Sequence, residues 1–272
     1  MKMEMAKKSF LCLLMMTFPL TGLVGCASKY GTQTTKVERY PQCYAPIQQL
    51  RDDENRVAKD TAAGAAGGAL LGALIGGLAT GKVEGAVAGG MAGGLAGGSL
   101  AYATSKQNQI KDQNARMASY MKDLDGDIAG LDAATASARA STQCYDKEFK
   151  MLVARYKSGN ITRIELDKGY QEIKNGLSEA DRILGVTLQK AYDREAQYDA
   201  ALSDEAQKMG IPTQSASTKK RSLRSSSPLK QVQTKKVAFS GNIKELASAK
   251  QDGQASIMEK QRLMDDLAKL NV

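Results

Sequence analysis

The chain contains no histidine and no tryptophan, and aromatic residues make up only 5% of its 272 residues. Without histidine, the commonest general base, proton shuttle and metal ligand is missing. A Ser-His-Asp or Cys-His site cannot be assembled, and no catalytic set and no metal-ligating set is expected. Few aromatics argue against a large globular core, while abundant alanine, glycine, serine and glutamine point to helices joined by flexible segments. Cysteine is sparse as well, with four residues, at positions 12, 26, 43 and 144.

The opening stretch MKMEMAKKSFLCLLMMTFPLTGLVGC sets Lys2, Lys7 and Lys8 ahead of an apolar run from Phe10 to Val24. That is the layout of a secretory signal over residues 1–25, too short to count as a spanning helix. Its end, Leu23-Val24-Gly25-Cys26, resembles the lipobox of bacterial lipoproteins. The resemblance implies cleavage before Cys26, a diacylglycerol on its thiol and a further acyl chain on its amine. It implies no other cofactor. Acyl chains hold to a membrane at ~0.8 kcal/mol per buried CH₂. By that family's sorting rules, Ala27 rather than aspartate after the anchor implies the outer membrane, facing the periplasm. Ser28-Lys29 keeps the inner membrane as the alternative address. Cys12 leaves with the signal, so Cys43 and Cys144 remain in an oxidising compartment. A disulfide between them is expected, with two free thiols or bridges between subunits as alternatives.

Fourteen of the 26 glycines lie between Thr61 and Ser99. In a water-exposed helix they carry a handicap of about 14 kcal/mol against alanine. Their spacing is regular: Gly64, Gly68, Gly72 and Gly76, then Gly81, Gly85, Gly89, Gly93 and Gly97. A step of four is nearly one helical turn, so each series forms a smooth stripe. Leu70, Leu74 and Leu78 lie on the other side of the first half, and Val83, Val87, Met91 and Leu95 on that of the second. The only charges between Asp60 and Lys106 are Lys82 and Glu84, at the expected turn. This is the small-xxx-small pattern of packed membrane helices, where close backbone approach is favourable and an unpaired backbone is expensive. Each arm of about 18 residues would be ~27 Å long, close to the thickness of a thin bilayer core. A membrane hairpin over residues 61–103 follows, after an N-terminal tether over 26–60. The segment resembles the glycine-zipper two-transmembrane family of outer-membrane lipoproteins. The resemblance implies membrane association and self-association into a homo-oligomer, and no enzymatic activity.

From Met117 the apolar pattern becomes a 4-3 alternation: Met117, Met121, Leu124, Ile128, Leu131, Thr135, Ala138, Thr142, Tyr145, Phe149, Leu152 and Tyr156. It reads as a helical seam. Lys157-Ser158-Gly159-Asn160 is a stop signal, and Thr162 with Glu165 is a capping box for a second helix. That helix carries Leu166, Tyr170, Ile173, Leu177, Ala180, Leu184, Thr187, Ala191, Tyr198 and Ala201 on one stripe. The expected architecture over residues 104–210 is an antiparallel coiled-coil-like hairpin, reaching ~70 Å into the periplasm. Pairing between chains is the alternative. Asp123-x-Asp125-Gly126-Asp127 is similar to the start of a calcium loop but lacks its glutamate, so these acids and Asp132 are read as a solvated face.

Residues 211–242 hold Lys219, Lys220, Arg221, Arg224, Lys230, Lys235 and Lys236 and no acid. Serine, proline and charge predict a disordered basic linker, and those cations are the candidate anion-binding residues. A short terminal helix is expected within residues 243–272. The fold class expected is therefore all-α. The function expected is that of a non-enzymatic outer-membrane lipoprotein, an assembly or envelope-integrity scaffold for a complex such as a secretion or appendage system. A pore-forming protein and a peptidoglycan-tethering factor using the basic tail are the alternatives, and nucleic acid is not an expected partner.

Overall fold

The computed structural model describes residues 30, 32–60, 98–211 and 227–269. The chain divides into two units, Met1–Gln33 and Thr34–Val272, and every described helix belongs to the second. These helices are α1 (Pro41–Asp60), α2 (Gly98–Gln109), α3 (Gln113–Lys157), α4 (Arg163–Lys208) and α5 (Pro228–Lys269). The fold is all-α, with no strand among the described residues.

Local chemistry sets the ends of the long helices. Asp112 caps α3 by accepting the Ala115 N–H at 2.7 Å. Gly159 stops α3 with φ +72°, and the Asn160 N–H reaches back to the Arg155 carbonyl at 2.9 Å. Gly210 (φ +66°) repeats this at the end of α4, where the Ile211 N–H bonds the Ala206 carbonyl. Both are left-handed glycine stops that satisfy orphan carbonyls. Thr162 and Glu165 form the capping box that opens α4.

Helices α3 and α4 run antiparallel, with Arg116 against Glu205, Tyr198 against Asp127 and Leu152 against Gly169. Helix α5 runs parallel to α3 and antiparallel to α4. Its Asn242 meets Asp132 and its Ser256 meets Asp146, while Lys236 meets Asp199 and Lys250 meets Asp181. Helices of this length span about 65 Å. Between them lie Leu124, Leu131 and Tyr145 from α3, Leu166, Ile173, Leu177 and Tyr198 from α4, and Val232, Phe239, Ile243 and Leu246 from α5, all buried.

Three expectations are corrected here. Residues 228–242, read as disordered linker, are the start of α5, and the terminal helix begins at Pro228 rather than near 243. Leu229, Val232, Phe239, Ile243 and Leu246 make a buried stripe at helical spacing. Lysine and serine dilute that stripe and conceal it in the sequence. Residues 41–60, read as tether, are a helix of the bundle, and Gly98–Ala103 belong to α2 rather than to the glycine hairpin. The segment 61–97, with Gly64 through Gly97 of the two glycine series, lies outside the described residues, as does Cys26.

Candidate functional site

The α3–α4 pair has two grooves. One holds α5. The other holds α1 and then α2, both running in the direction of α4. Tyr44 and Arg51 of α1 meet Glu179, whereas Tyr102 and Gln107 of α2 meet Tyr198 and Glu205. The two short helices thus act as halves of one divided fourth helix. On α3, Tyr120, Asp127, Ala134 and Ser141 recur every seven residues and line this second groove. The stripe escapes sequence reading because three of its four members are polar and the other is small.

Glu172 seats the first half. Its carboxylate accepts the backbone N–H groups of Glu38 at 3.0 Å, Arg39 at 2.9 Å and Tyr40 at 3.0 Å. The Tyr40 N–H, at the cap position, is a donor the helix N-terminus leaves unsatisfied, the Glu38 and Arg39 amides precede the helix, and the next residue, Pro41, has none to offer. Glu172 therefore caps α1 from another helix. One helical stretch on, Glu179 accepts the Thr35 N–H at 3.0 Å, the Thr35 hydroxyl at 2.7 Å and the Tyr44 hydroxyl at 2.9 Å, and it pairs with Arg51. Burial pushes the Glu179 carboxyl up, but the Thr35 and Tyr44 hydroxyls, the Thr35 amide and Arg51 together hold it below its usual value. Cys43 and Cys144 form a disulfide that ties α1 to α3 across 101 residues of chain, as expected. The Ser141 hydroxyl donates to the Cys43 carbonyl beside it at 3.0 Å.

Polar groups and rings seat the second half. The Tyr102 hydroxyl donates to Asp123 at 2.6 Å. The Arg194 guanidinium lies 4.5 Å from the Tyr102 ring centre and 4.9 Å from that of Tyr198, a cation–π contact with two rings that meet edge to face at 5.7 Å. Its Nε donates to Asp127 at 2.9 Å, and Tyr198 donates to the same oxygen at 2.6 Å. Asp127, expected on a solvated face, is fully buried. Its burial outweighs Arg194 and Tyr198 and pushes its carboxyl above the usual value. Farther on, Arg116 grips Glu205 with Nε at 2.7 Å and Nη2 at 2.9 Å, and Gln107 adds a bond at 3.3 Å.

Glu172, Glu179 and Glu205 are occupied by donors and buried, while Asp127 keeps one buried oxygen, Oδ1, without a donor. Their work is to hold α1 and α2 in register. With Tyr40 held at Glu172 and Tyr102 against Tyr198, and α1 taken as straight along α4, α1 ends near the level of Tyr192 and α2 begins near that of Arg194, about 3 Å apart along the axis.

The candidate anion-binding residues are divided. Lys235 pairs with Asp125, and Lys236 pairs with Asp199 at 2.7 Å and Glu195 at 3.7 Å, so both are engaged within the bundle. Lys230 is exposed on α5. Lys219, Lys220, Arg221 and Arg224 lie outside the described residues. Among the described residues, no helix is long and apolar enough to cross a membrane. Comparison with family models, curated proteins and solved structures finds no match.

Proposed function

We propose that this chain is a non-enzymatic, lipid-anchored scaffold of the bacterial envelope. Acylated Cys26 and the hairpin of residues 61–97 attach it to the outer membrane from the periplasmic side. The glycine stripes associate with those of further copies, and the helical bundle presents a rigid surface to an envelope assembly. The observation that carries this reading is the divided fourth helix. Two halves seated in one groove bring the ends of a 37-residue insert together, which is what a helical hairpin needs. The Cys43–Cys144 disulfide suits an oxidising compartment.

The test replaces Gly68, Gly72, Gly89 and Gly93 with leucine in the acylated chain. Leucine side chains on the smooth stripe keep the backbones apart. The expected outcome is a smaller complex in mild detergent, with the bundle's helical signal unchanged. An unchanged complex size would contradict association through the glycines. Pairing of Lys235 and Lys236 inside the bundle leaves the peptidoglycan reading resting on the cations between residues 219 and 230.

A further inference from the structure

Residues 34–40 are pinned to α4 at two points. Glu179 accepts the Thr34 N–H at 3.2 Å and the Thr35 N–H at 3.0 Å. Glu172 accepts those of Glu38, Arg39 and Tyr40. Lys36 lies between the two clamps, so the backbone that carries it is held on both sides. Beside this segment a cleft of about 710 Å³ opens against α4. One side of it is a single face of α4, with Ile164, Lys168, Gln171 and Asn175 at helical spacing. Lys36, Glu38 and Arg39 line the other side.

The acids of the lining are already engaged. Glu172 is buried beneath three backbone N–H groups, and Asp167 accepts from the Arg163 guanidinium at 3.0 Å. Glu38 faces Arg39 at 3.8 Å. Lys36 and Lys168 are exposed, and neither pairs with an acid among the described residues. Each acid of the cleft therefore has a donor, whereas two of its three cations have no acid. The field at the start of α4 has the same sign. There the bonds from Thr162, and after them Arg155 and Arg39, hold the Glu165 carboxyl below its usual value.

We propose that this cleft binds an extended acidic peptide of a partner protein, with Lys36 and Lys168 meeting its carboxylates. It rests on the scaffold reading above for the partner's being a protein, and it gives that partner a docking site. The length fits: Ile164 to Asn175 spans about 16 Å of α4, the length of about five extended residues. Ile164, 67% exposed, gives an apolar contact at one end. The Gln171 and Asn175 amides, one turn apart, can both donate to and accept from a peptide backbone. Holding Lys36 from both sides removes part of the ordering cost of binding.

The test measures the fluorescence anisotropy of labelled hexaglutamate with the acylated full chain in mild detergent. Lys219, Lys220, Arg221 and Arg224 are changed to glutamine throughout, so that these cations do not bind the probe. Lys36→Glu with Lys168→Glu is compared with Lys111→Glu and Lys122→Glu, which reverse two exposed cations outside the cleft. The expected result is binding that the cleft pair weakens about tenfold, the loss of two exposed ion pairs, with the helical signal unchanged. The distant pair should leave it unchanged. Equal weakening by both pairs would show diffuse charge rather than a site and would overturn the proposal, as would failure of hexaglutamate to bind. Binding of polygalacturonate, a carboxylated glycan, in place of the peptide would overturn the choice of partner. The glycine-to-leucine test of complex size does not involve Lys36 or Lys168, so the scaffold reading and this one can fail separately.

Discussion

Arg116 and Glu205 are 89 residues apart in sequence and form a two-pronged ion pair that closes the open end of the α3–α4 pair. Glu205 is fully buried and Arg116 nearly so. Removing one partner of such a pair strands the other charge, at about 3–5 kcal/mol. Glu205→Ala should show that loss in urea unfolding. Arg116→Met with Glu205→Leu should lose less than Glu205→Ala alone, because no charge is left buried. Equal losses would show that packing rather than the charge pair holds this end.

The Cys43–Cys144 disulfide closes a loop of about 100 residues that contains the whole glycine segment. Replacing both cysteines with serine should lower stability by about 2–5 kcal/mol. Hydrogen exchange should rise first in α1, which the bond ties to α3, and least in α5. Uniform exchange across all helices would contradict the assignment of α1 as a separately docked half.

Two pairs of helical glycines should respond to alanine with opposite signs. A Cβ on Gly176 would sit 2.6 Å from the Tyr145 Cζ, and one on Gly169 would sit 2.7 Å from the Leu152 Cδ2. Both would meet buried side chains, so Gly176→Ala and Gly169→Ala should destabilise by about 1–3 kcal/mol. Gly126 and Gly241 have open space around an added Cβ. Their alanine variants should gain about 0.5–1 kcal/mol from helix propensity alone. Thermal melts of the four variants check both directions.

Acid should loosen the seat of the divided helix. Burial pushes Glu179 and Glu205 up, but hydrogen bonds and Arg51 or Arg116 outweigh it, so both carboxyls lie below the usual 4.5. A depressed carboxyl contributes stability that is complete above its unfolded value and is lost as pH falls through the folded one. Asp127 works the other way. Burial raises it from the usual 3.8, so its protonation favours the folded chain as pH falls. The melting temperature should therefore drop below about pH 4.5. Glu205→Gln should flatten that drop, and Asp127→Asn should steepen it. A Glu205→Gln profile as steep as that of the parent chain would contradict the assignment.

The parts that were legible in sequence are those written by apolar periodicity and by glycine. The stop at Gly159 and the Thr162–Glu165 box stand in the structure, and so does the helix from Met117 to Tyr156, with Met121, Ile128, Thr142 and Tyr156 of its seam only half-buried. The first part of α5 was hidden because lysines separate Val232 from Phe239, and two of them find acids on α3 and α4. The seat for α1 and α2 was hidden for a different reason. Its key residues, Glu172, Glu179, Glu205 and Asp127, are charged groups that read as solvent-facing until backbone donors and guanidinium groups from distant residues are brought to them. Periodicity carries no signal for such pairing.

The central claim is that residues 61–97 lie within the bilayer. Its most direct measurement is alkaline carbonate extraction of a Cys26→Ser chain, exported behind an ordinary cleavable signal so that no lipid or leader anchors it. The account predicts that this chain stays in the membrane pellet, and that the same chain lacking residues 61–97 is released. Clean release of the intact segment into the supernatant would contradict it.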